Sequence, residues 1–421
     1  MKIGFYGGLA NNTYVAAKSF HRQGIDVVYI RDIVDTFPFS QPVWEDVSFT
    51  LSYEDISNCH FTRQKWTEIE EKLGWQLPEY MLDPSKIDGK LTEYYQNNLI
   101  LNFWYLRKSE YRKKIILAMQ SVDCLIVCGI EATILAWASG RPYIIWPHGG
   151  DIRFASDFDQ KWTSTLNNIK KELQRYVLKE AYKKCLWIGS HDPTGIGGHV
   201  TPINYSIEYF PLPLKGKKRL PKKERSNKLK QCLEKLQINV SENSYCVFIP
   251  SRIDYYWKGT DRLLAAIEHI QPNNIHFLFS GWGKDYYKAK NRMKEYSCCT
   301  FMPCAISKPI LYELFSSVDL VIDQFCLGTY GTSALEAISV GTPVMMFIKN
   351  EAFAHKEWLP PPVLNVKSAD EITKFLIKID TGCLDFDFYS SEITRWFNKT
   401  HNETIAVSKV FSKIEDSLAA L

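Results

Sequence analysis

Short apolar runs alternate with helix-length amphipathic stretches along most of the chain. Runs of this length that are rich in Val, Ile, Leu and Phe are typical of strands buried on both faces of a parallel sheet. Strands that alternate with helices form β-α units around such a sheet. The pattern therefore predicts the α/β fold class.

The predicted strands fall into two series. In the first half of the chain they are residues 2–6, 27–30, 124–128, 143–146 and 186–189. In the second half they are residues 246–250, 276–280, 320–322 and 344–347. Two series of strands indicate two Rossmann-like sheets.

The length of the chain agrees with two domains, because 421 residues exceed what one hydrophobic core usually organises. Between the two series lies a basic, Pro-containing stretch, residues 215–230, which indicates a linker followed by an exposed helix. We predict a first domain over 1–213, with an aromatic-rich insertion at about 37–100, and a second domain over 214–392. Helices over 393–421 are expected to cross back to the first domain.

Composition narrows the possible partners and compartment. With 45% apolar and 23% charged residues, the chain has an ordinary globular composition, and its net charge of +4 indicates no nucleic-acid partner. The 11 cysteines are scattered and contain no Cys-x-x-Cys, which favours a reducing compartment. The first residues lack the apolar stretch of a signal peptide, and no run of about 18 apolar residues follows. We expect a cytoplasmic protein.

Two basic stretches, residues 104–119 and 170–184, have the periodicity of amphipathic helices. Such helices can lie on an anionic membrane surface, which would suit a lipid-linked acceptor and a peripheral position on the inner membrane. Helices of this kind are more often solvated on one face and packed on a sheet with the other. Both interpretations stay open at this point.

The most informative motif is GTYGTSALEAISVGTPV, residues 328–344, which directly follows an apolar run. A Gly-rich loop between a strand and a helix presents backbone N–H groups and the positive end of the helix dipole to phosphates. The turn at Tyr330, Gly331 and Thr332 is predicted to hold a diphosphate. Glu336, about one turn later, is placed to accept hydrogen bonds from vicinal hydroxyls such as those of a ribose.

Charged side chains also lie at other predicted strand ends. In PSRIDYYWKG, residues 250–259, Arg252 and Lys258 flank the crevice where open α/β sheets bind ligands, so these cations can neutralise a diphosphate leaving group. In WPHGGDIR, residues 146–153, a Gly turn carries His148 and Asp151.

Two glycines, Gly7 and Gly8, follow the first predicted strand. They form a tight β-α turn, but the fingerprint G-x-G-x-x-G is absent, which disfavours a dinucleotide at this position.

In combination, these motifs resemble the retaining enzymes of glycosyltransferase family 4. PSRxDxxxKG, the LEA block, HGGD and the Gly7–Gly8 turn occur in that family's order. The similar architecture spans nearly the whole chain, except for residues 37–120, which match nothing in the family. The resemblance implies the GT-B fold, in which two Rossmann-like domains face a central crevice. It implies that the second domain holds a nucleotide-diphosphate sugar while the acceptor approaches from the first. It also implies that no cofactor and no metal ion is needed.

The resemblance further implies roles for individual residues. Arg252 and Lys258 would bind the diphosphate and act in catalysis, and Glu336 would bind the ribose. His148 would contact the transferred sugar at the reaction centre, and Asp151 would either contact the acceptor or cap its own turn. The remaining residues expected to line the donor site are Gly7, Gly8, Tyr330, Gly331 and Thr332.

One position departs from the family pattern. The family commonly has two glutamates spaced E-x7-E, and here the first of them is replaced by Gly328. Our hypothesis is that Asp323 and Gln324, at the end of the preceding strand, supply the missing polar contacts to the donor sugar. Two Asp-x-Asp triplets, residues 157–159 and 385–387, look like the metal motif of the GT-A fold, but neither follows a strand in a nucleotide-binding unit.

Three functions remain compatible with the sequence. The first is transfer of a sugar from a nucleotide-diphosphate sugar to a glycan, glycolipid or small-molecule acceptor. The second is epimerisation of a nucleotide sugar by the same overall fold. The third is a catalytically inactive GT-B module that binds glycan or protein partners, which the loss of the glutamate at Gly328 would permit.

Overall fold

The computed structural model describes residues 1–8, 10–57, 61–88, 91, 109–147, 152, 165–191, 207–238, 245–353 and 358–421. Contacts divide the chain into two compact units. The first comprises Met1–Pro42, Thr62–Pro213 and Glu403–Leu421, and the second comprises Val43–Phe61 and Leu214–Asn402.

Strands of the described residues are mostly short. They are β1 (Lys2–Gly7), β2 (Asp26–Ile30), β3 (Thr50–Ser52), β4 (Met81–Leu82), β5 (Cys124–Cys128), β6 (Tyr143–Ile145), β7 (Ile188–Ser190), β8 (Ile207–Tyr209), β9 (Tyr245–Ile249), β10 (Ile275–Phe279), β11 (Cys299–Phe301), β12 (Cys304–Ile306), β13 (Leu320–Ile322), β14 (Val344–Met346) and β15 (Leu364–Asn365).

Helices separate most of these strands. They are α1 (Asn12–Arg22), α2 (Pro42–Asp46), α3 (Tyr53–Ser57), α4 (Arg63–Lys72), α5 (Glu110–Gln120), α6 (Ile130–Ser139), α7 (Thr165–Tyr182), α8 (Lys222–Lys235), α9 (Thr260–Ile270), α10 (Tyr286–Arg292), α11 (Lys308–Phe315), α12 (Thr332–Ser339), α13 (Ala369–Asp380), α14 (Phe386–Thr400) and α15 (Glu403–Ala419).

Each unit is organised around a parallel sheet. In the described residues, the first sheet has the order β4-β2-β1-β5-β6-β7-β8 and the second has the order β11-β10-β9-β13-β14-β15. The central strand β5 is buried along its whole length, as is the apolar helix α6 from Ala132 onward. A strand buried on both faces reads as a continuous apolar run, which is why these strands stand out in the sequence.

The predicted α/β class is confirmed, and every predicted strand overlaps an observed one. The prediction missed β3, β4, β8, β11, β12 and β15, which are two or three residues long. Such short segments carry no periodicity of their own, so only their pairing partners define them as strands.

Residues 43–61 belong to the second unit, although we predicted that the whole insertion lies in the first domain. Their strand β3 pairs antiparallel with β12, with Ser52 opposite Cys304. The backbone N–H of Ser307 donates to the carbonyl of Phe49 at 3.0 Å, and the ring of Tyr53 stacks on that of Tyr286 at 4.8 Å. We call residues 43–61 the inserted segment.

The basic stretch over 104–119 is described from residue 109 onward and forms α5 there. Its apolar face is buried, and two of its cations bond to other parts of the first unit. Arg112 pairs with Glu131 at 3.0 Å, and the ammonium of Lys114 donates to the carbonyl of Ser85 at 3.0 Å. These contacts favour the interpretation as a packed helix. No described helix combines the length and apolarity that crossing a membrane requires.

Candidate functional site

The candidate site lies at the carboxyl edge of the second sheet. Ser251 and Arg252 follow β9, and Asp323 and Gln324 follow the neighbouring strand β13. Because β9 and β13 are parallel, the two pairs lie at the same edge. That edge is where open α/β sheets bind their ligands.

Lys258 and Asp323 form an ion pair at this edge, with 2.9 Å between the ammonium and Oδ1. The side chain of Asp323 is fully buried, and the hydroxyl of Ser251 donates to the same oxygen. The other oxygen, Oδ2, is buried and has no hydrogen-bond partner among the described residues. A Cβ added to Gly331 would lie 3.4 Å from Oδ2, so this oxygen lies beside the beginning of α12.

A tight loop fixes the backbone of Lys258. Its N–H donates to the carbonyl of Asp254 at 3.0 Å, and its carbonyl accepts from the N–H of Phe325 at 2.9 Å. The next residue, Gly259, has a φ of +69°, and an added Cβ would lie 2.8 Å from the sulfur of Cys326. Only glycine fits this position without a shift of the loop.

Arg252 is more exposed, with 44% of its side chain accessible, and its Nε lies 3.6 Å from Oδ2 of Asp254. Lys284 reaches the other oxygen of that carboxylate at 3.2 Å. Burial alone would raise the pKa of Asp254, but the N–H of Trp257 and the ammonium of Lys284 outweigh it and lower the pKa.

Lys284 was not predicted from the sequence. Its position in the sequence could have indicated it, because Lys284 follows β10 as Arg252 follows the neighbouring strand β9.

Gly328 occupies a position that a glutamate cannot enter without strain. Its φ is +73°, and an added Cβ would lie 2.9 Å from the Cβ of Lys349. Its carbonyl accepts from the N–H of Lys349 at 2.9 Å. The backbone of the loop, rather than a simple loss of a side chain, therefore explains why the first glutamate of E-x7-E is absent here.

The amide of Gln324 is used entirely within its own surroundings. Its nitrogen donates to the carbonyls of Thr329 at 2.6 Å and Phe347 at 2.9 Å. Its oxygen accepts from the N–H groups of Cys326 at 2.9 Å and Leu327 at 2.7 Å. An amide has two donors and one acceptor oxygen with two lone pairs, so these four bonds saturate it. Gln324 therefore holds the loop, and its predicted contact with the sugar would require breaking these bonds.

Tyr330 is buried, with its hydroxyl 3.3 Å from Nε2 of His401 and its ring packed against Phe353 and Trp396. Its side chain is thus part of the core. Gly331 is the N-cap of α12 in an extended conformation, and Thr332 is the first helical residue. The turn at 330–332 therefore has the strand-to-helix geometry that the sequence predicted for a phosphate-binding loop.

Glu336 is buried in α12 and pairs with Lys308, whose ammonium lies 2.5 Å from Oε1. The other oxygen, Oε2, is buried without a partner among the described residues. Burial raises the pKa of Glu336, and Lys308 opposes that effect. For Lys308, burial alone would lower the pKa, but Glu336 and Glu45 of the inserted segment outweigh it.

In the first unit, Gly7 and Gly8 form the turn between β1 and α1, with φ values of +77° and +131°. A Cβ added to Gly7 would lie 2.1 Å from the carbonyl oxygen of Cys128, and the hydroxyl of Thr13 donates to the carbonyl of Gly7. The backbone conformation of the turn is therefore sufficient to require glycine at both positions, whether or not a ligand binds there. The remaining predicted residues, His148 and Asp151, lie outside the described residues.

Comparison with solved structures identifies the fold. HepE from Anabaena, solved in complex with UDP-glucose, superposes with a TM-score of 0.61 and 12% identity over 99% of this chain and 100% of HepE. This chain has the GT-B fold. The GT-B structure of the sucrose-phosphate synthase from Thermosynechococcus elongatus has a TM-score of 0.58 and 12% identity, covering 100% of both chains. The catalytic domain of starch synthase IV from Arabidopsis thaliana, bound to ADP and acarbose, has a TM-score of 0.58 and 11% identity over 99% of both chains.

The sequence itself also matches a family within the second GT-B domain. Residues 233–355 match the family described as "Glycosyl transferases group 1", and this span contains Arg252, Lys258, Asp323 and Glu336. No curated protein matches the sequence. The predicted GT-B glycosyltransferase fold is therefore confirmed, while membership of family 4 stays a prediction.

Proposed function

We propose that this chain is a glycosyltransferase, which moves a sugar from a nucleotide-diphosphate sugar to a hydroxyl of a glycan, glycolipid or other acceptor. The observation that carries the proposal is the Lys258–Asp323 pair beside the N-terminus of α12, at the carboxyl edge of the second sheet. This arrangement lies inside the span that matches the glycosyltransferase family, and HepE, which has the same fold, was solved with UDP-glucose.

The diphosphate of the donor would lie among the cations of this edge. Asp323 takes one of the three N–H donors of Lys258, so the ammonium keeps donors for a phosphate oxygen. Arg252 is exposed enough to reach a ligand. Lys284, which pairs with the same carboxylate of Asp254 as Arg252 does, is a third cation at this edge. Backbone N–H groups at the beginning of α12 supply further donors for a phosphate.

The ribose would bind through Glu336. Lys308 holds one carboxylate oxygen, and the unpartnered oxygen Oε2 is the acceptor left for a ribose hydroxyl. A hydroxyl that donates to a charged carboxylate forms one of the stronger hydrogen bonds available in proteins. Because Lys308 fixes Oε1, the direction of that bond is set before the ligand arrives.

For the chemical step we propose retention of anomeric configuration, as the resemblance implies. The bond between the anomeric carbon and the diphosphate breaks while the acceptor oxygen attacks from the same face, and the acceptor proton passes to the leaving diphosphate. Arg252 and Lys258 would stabilise the charge that develops on the leaving group, in place of a metal ion. His148 would contact the transferred sugar. Neither a metal nor a cofactor belongs to this mechanism.

A cytoplasmic location is also part of the proposal, on the grounds of composition given above. Peripheral contact with the inner membrane surface stays an alternative. The ion pairs and hydrogen bonds of Arg112 and Lys114 argue against it for the described part of α5, because their charges already have partners.

The test is turnover of labelled nucleotide-diphosphate sugars with and without candidate acceptors. Release of the nucleotide diphosphate that depends on an acceptor supports glycosyl transfer. Conversion of the donor to an epimer without acceptor would instead identify an epimerase, and binding of donor without any turnover would identify an inactive module. Lys258→Ala should lose turnover, while Lys294→Ala, which removes an exposed lysine of the same unit, is the matched control.

A further inference from the structure

A cavity lies at the edge of the second sheet opposite the candidate donor site. It has a volume of about 1190 Å³ and is lined by parts of the basic stretch after residue 217, by α8 and by α14. Tyr245, at the beginning of β9, and Asp319, just before β13, also line it. These are the amino ends of the strands, whereas Asp323 follows the carboxyl end of β13. The cavity is therefore separate from the candidate donor site.

Two arginines bind the same aspartate in this cavity. Arg225 donates to Oδ1 of Asp319 at 3.2 Å, and Arg219 donates to the backbone carbonyl of Asp319 at 3.0 Å. Arg225 is buried, with 6% of its surface exposed. Burial and the neighbouring charge of Arg225 lower the pKa of Arg219 to about 10. The carboxylates of Asp319 and Asp387 oppose this lowering without cancelling it.

Both guanidinium groups have donors left over. Nε and Nη1 of Arg219 and Nε of Arg225 are buried and have no hydrogen-bond partner among the described residues. Buried donors without acceptors are uncommon in folded proteins, and a water molecule, an ion or a ligand can supply the missing acceptor. Adjacent guanidinium groups with spare donors match the oxygens of a phosphate group, which accepts several hydrogen bonds at once.

The rest of the cavity wall suits hydroxyl groups. Ser390, Ser391 and Thr394 on α14 line it, together with the carboxylates of Asp385 and Asp387. Hydroxyls and carboxylates accept hydrogen bonds from the hydroxyls of a sugar. The cavity therefore combines a site for a phosphate with a wall for a polyhydroxylated group.

We propose that this cavity binds a small sugar phosphate, with the phosphate on Arg219 and Arg225 and the sugar hydroxyls along α14. The site is independent of the proposed transferase activity. It also gives a role to the basic stretch over 215–230, which the donor site does not use.

The test is calorimetric titration of the full chain with glucose 6-phosphate, inorganic phosphate and glucose. Glucose 6-phosphate should bind more tightly than inorganic phosphate, and glucose should not bind. Arg219→Gln should weaken glucose 6-phosphate by about tenfold or more, because a charge-assisted bidentate contact is lost. Lys399→Gln removes an exposed charge of α14 that does not line the cavity, so it should keep the wild-type affinity. Saturating UDP should not compete.

Ser391→Tyr provides a second variant that does not depend on the arginines. Ser391 is an exposed residue of the cavity wall, so a tyrosine there should block binding without changing the melting temperature. The proposal is overturned if the wild-type chain does not bind glucose 6-phosphate at millimolar concentrations. It is also overturned if Arg219→Gln or Ser391→Tyr binds as the wild type does, if UDP displaces the ligand, or if inorganic phosphate binds equally well, which would indicate an adventitious anion site.

Discussion

The ammonium of Lys308 lies 2.5 Å from Oε1 of Glu336, and both side chains are buried in the second unit. The motif containing Glu336 predicts a carboxylate that is accessible to a ribose. The structure instead places it in an ion pair with the first residue of α11. This pair makes Glu336 a structural residue as well as a candidate ligand contact.

Glu336→Ala should therefore reduce both stability and donor binding. Removing one partner of a buried ion pair leaves an uncompensated charge and typically costs about 3–5 kcal/mol of unfolding free energy. Urea unfolding should show this loss. The double variant Glu336→Gln, Lys308→Met should recover most of the stability while the donor KM stays high. If Glu336→Ala unfolds at the wild-type urea concentration, the pair has no structural role, and an unchanged donor KM would reject the ribose contact.

Lys258→Ala and Arg252→Ala should differ in their unfolding free energy but should lower kcat to a similar extent. Lys258 neutralises the fully buried Asp323, so its removal should lower the unfolding free energy by about 1–3 kcal/mol. Arg252 is half exposed and should leave stability almost unchanged. Each variant should lower kcat by about a hundredfold or more, since both cations would stabilise the leaving group.

The double variant gives the sharper check on that prediction. Because both cations act on one diphosphate, the combined loss in kcat should be smaller than the product of the single losses. Lys294→Ala is the control for charge removal from the same unit. A single variant with wild-type kcat at saturating donor would make that residue a plain surface charge.

Gln324→Leu should raise the donor KM through the loop rather than through a lost ligand contact. The substitution removes four hydrogen bonds and leaves partly buried backbone groups unpaired, which costs about 1–3 kcal/mol in comparable cases. Urea unfolding and donor titration are the measurements. Gln64→Leu, on an exposed position of α4, is the control. A variant as stable as the wild type but weaker for one donor sugar only would instead favour direct contact with the sugar.

Excess EDTA should leave activity unchanged, because Arg252 and Lys258 are proposed to replace a metal ion. Initial rates before and after dialysis against EDTA provide the measurement. Activity that is lost and then restored by manganese would revive the Asp-x-Asp interpretation. Asp385 of the second triplet already accepts from the N–H of Phe388 at 2.9 Å as the N-cap of α14, and residues 157–159 lie outside the described residues.

The charge of Asp254, in the loop before α9, should make the unfolding free energy depend on pH in the acidic range. Its pKa is lowered in the folded protein, so its stabilising contribution is fully present above the ordinary carboxyl pKa of roughly 4 and disappears as the pH falls through the lower folded value. The difference in unfolding free energy between wild type and Asp254→Asn should shrink over that acidic range. A difference that does not depend on pH would mean that the charge of Asp254 contributes nothing.

The sequence predicted the parts of this fold whose signals are local. Long apolar runs located β1, β5, β9 and β10, and the strand-to-helix turn at Gly331 followed from its glycines. Lys308 could not be predicted as the partner of Glu336, since no local pattern connects residues on different helices. The reason for Gly328 was equally hidden, because it depends on the position of Lys349 across the loop.

The pairing of β3 with β12 has a consequence for how the protein is made. A ribosome produces residues 50–52 early, yet their partner strand at 304–306 emerges only after most of the chain. Until then residues 50–52 lack the strand with which they pair. Translation must therefore proceed far beyond the linker before the second unit can complete its fold. A recombinant fragment that begins at residue 214 would lack this strand, so it would need residues 43–61 supplied in trans or fused to it.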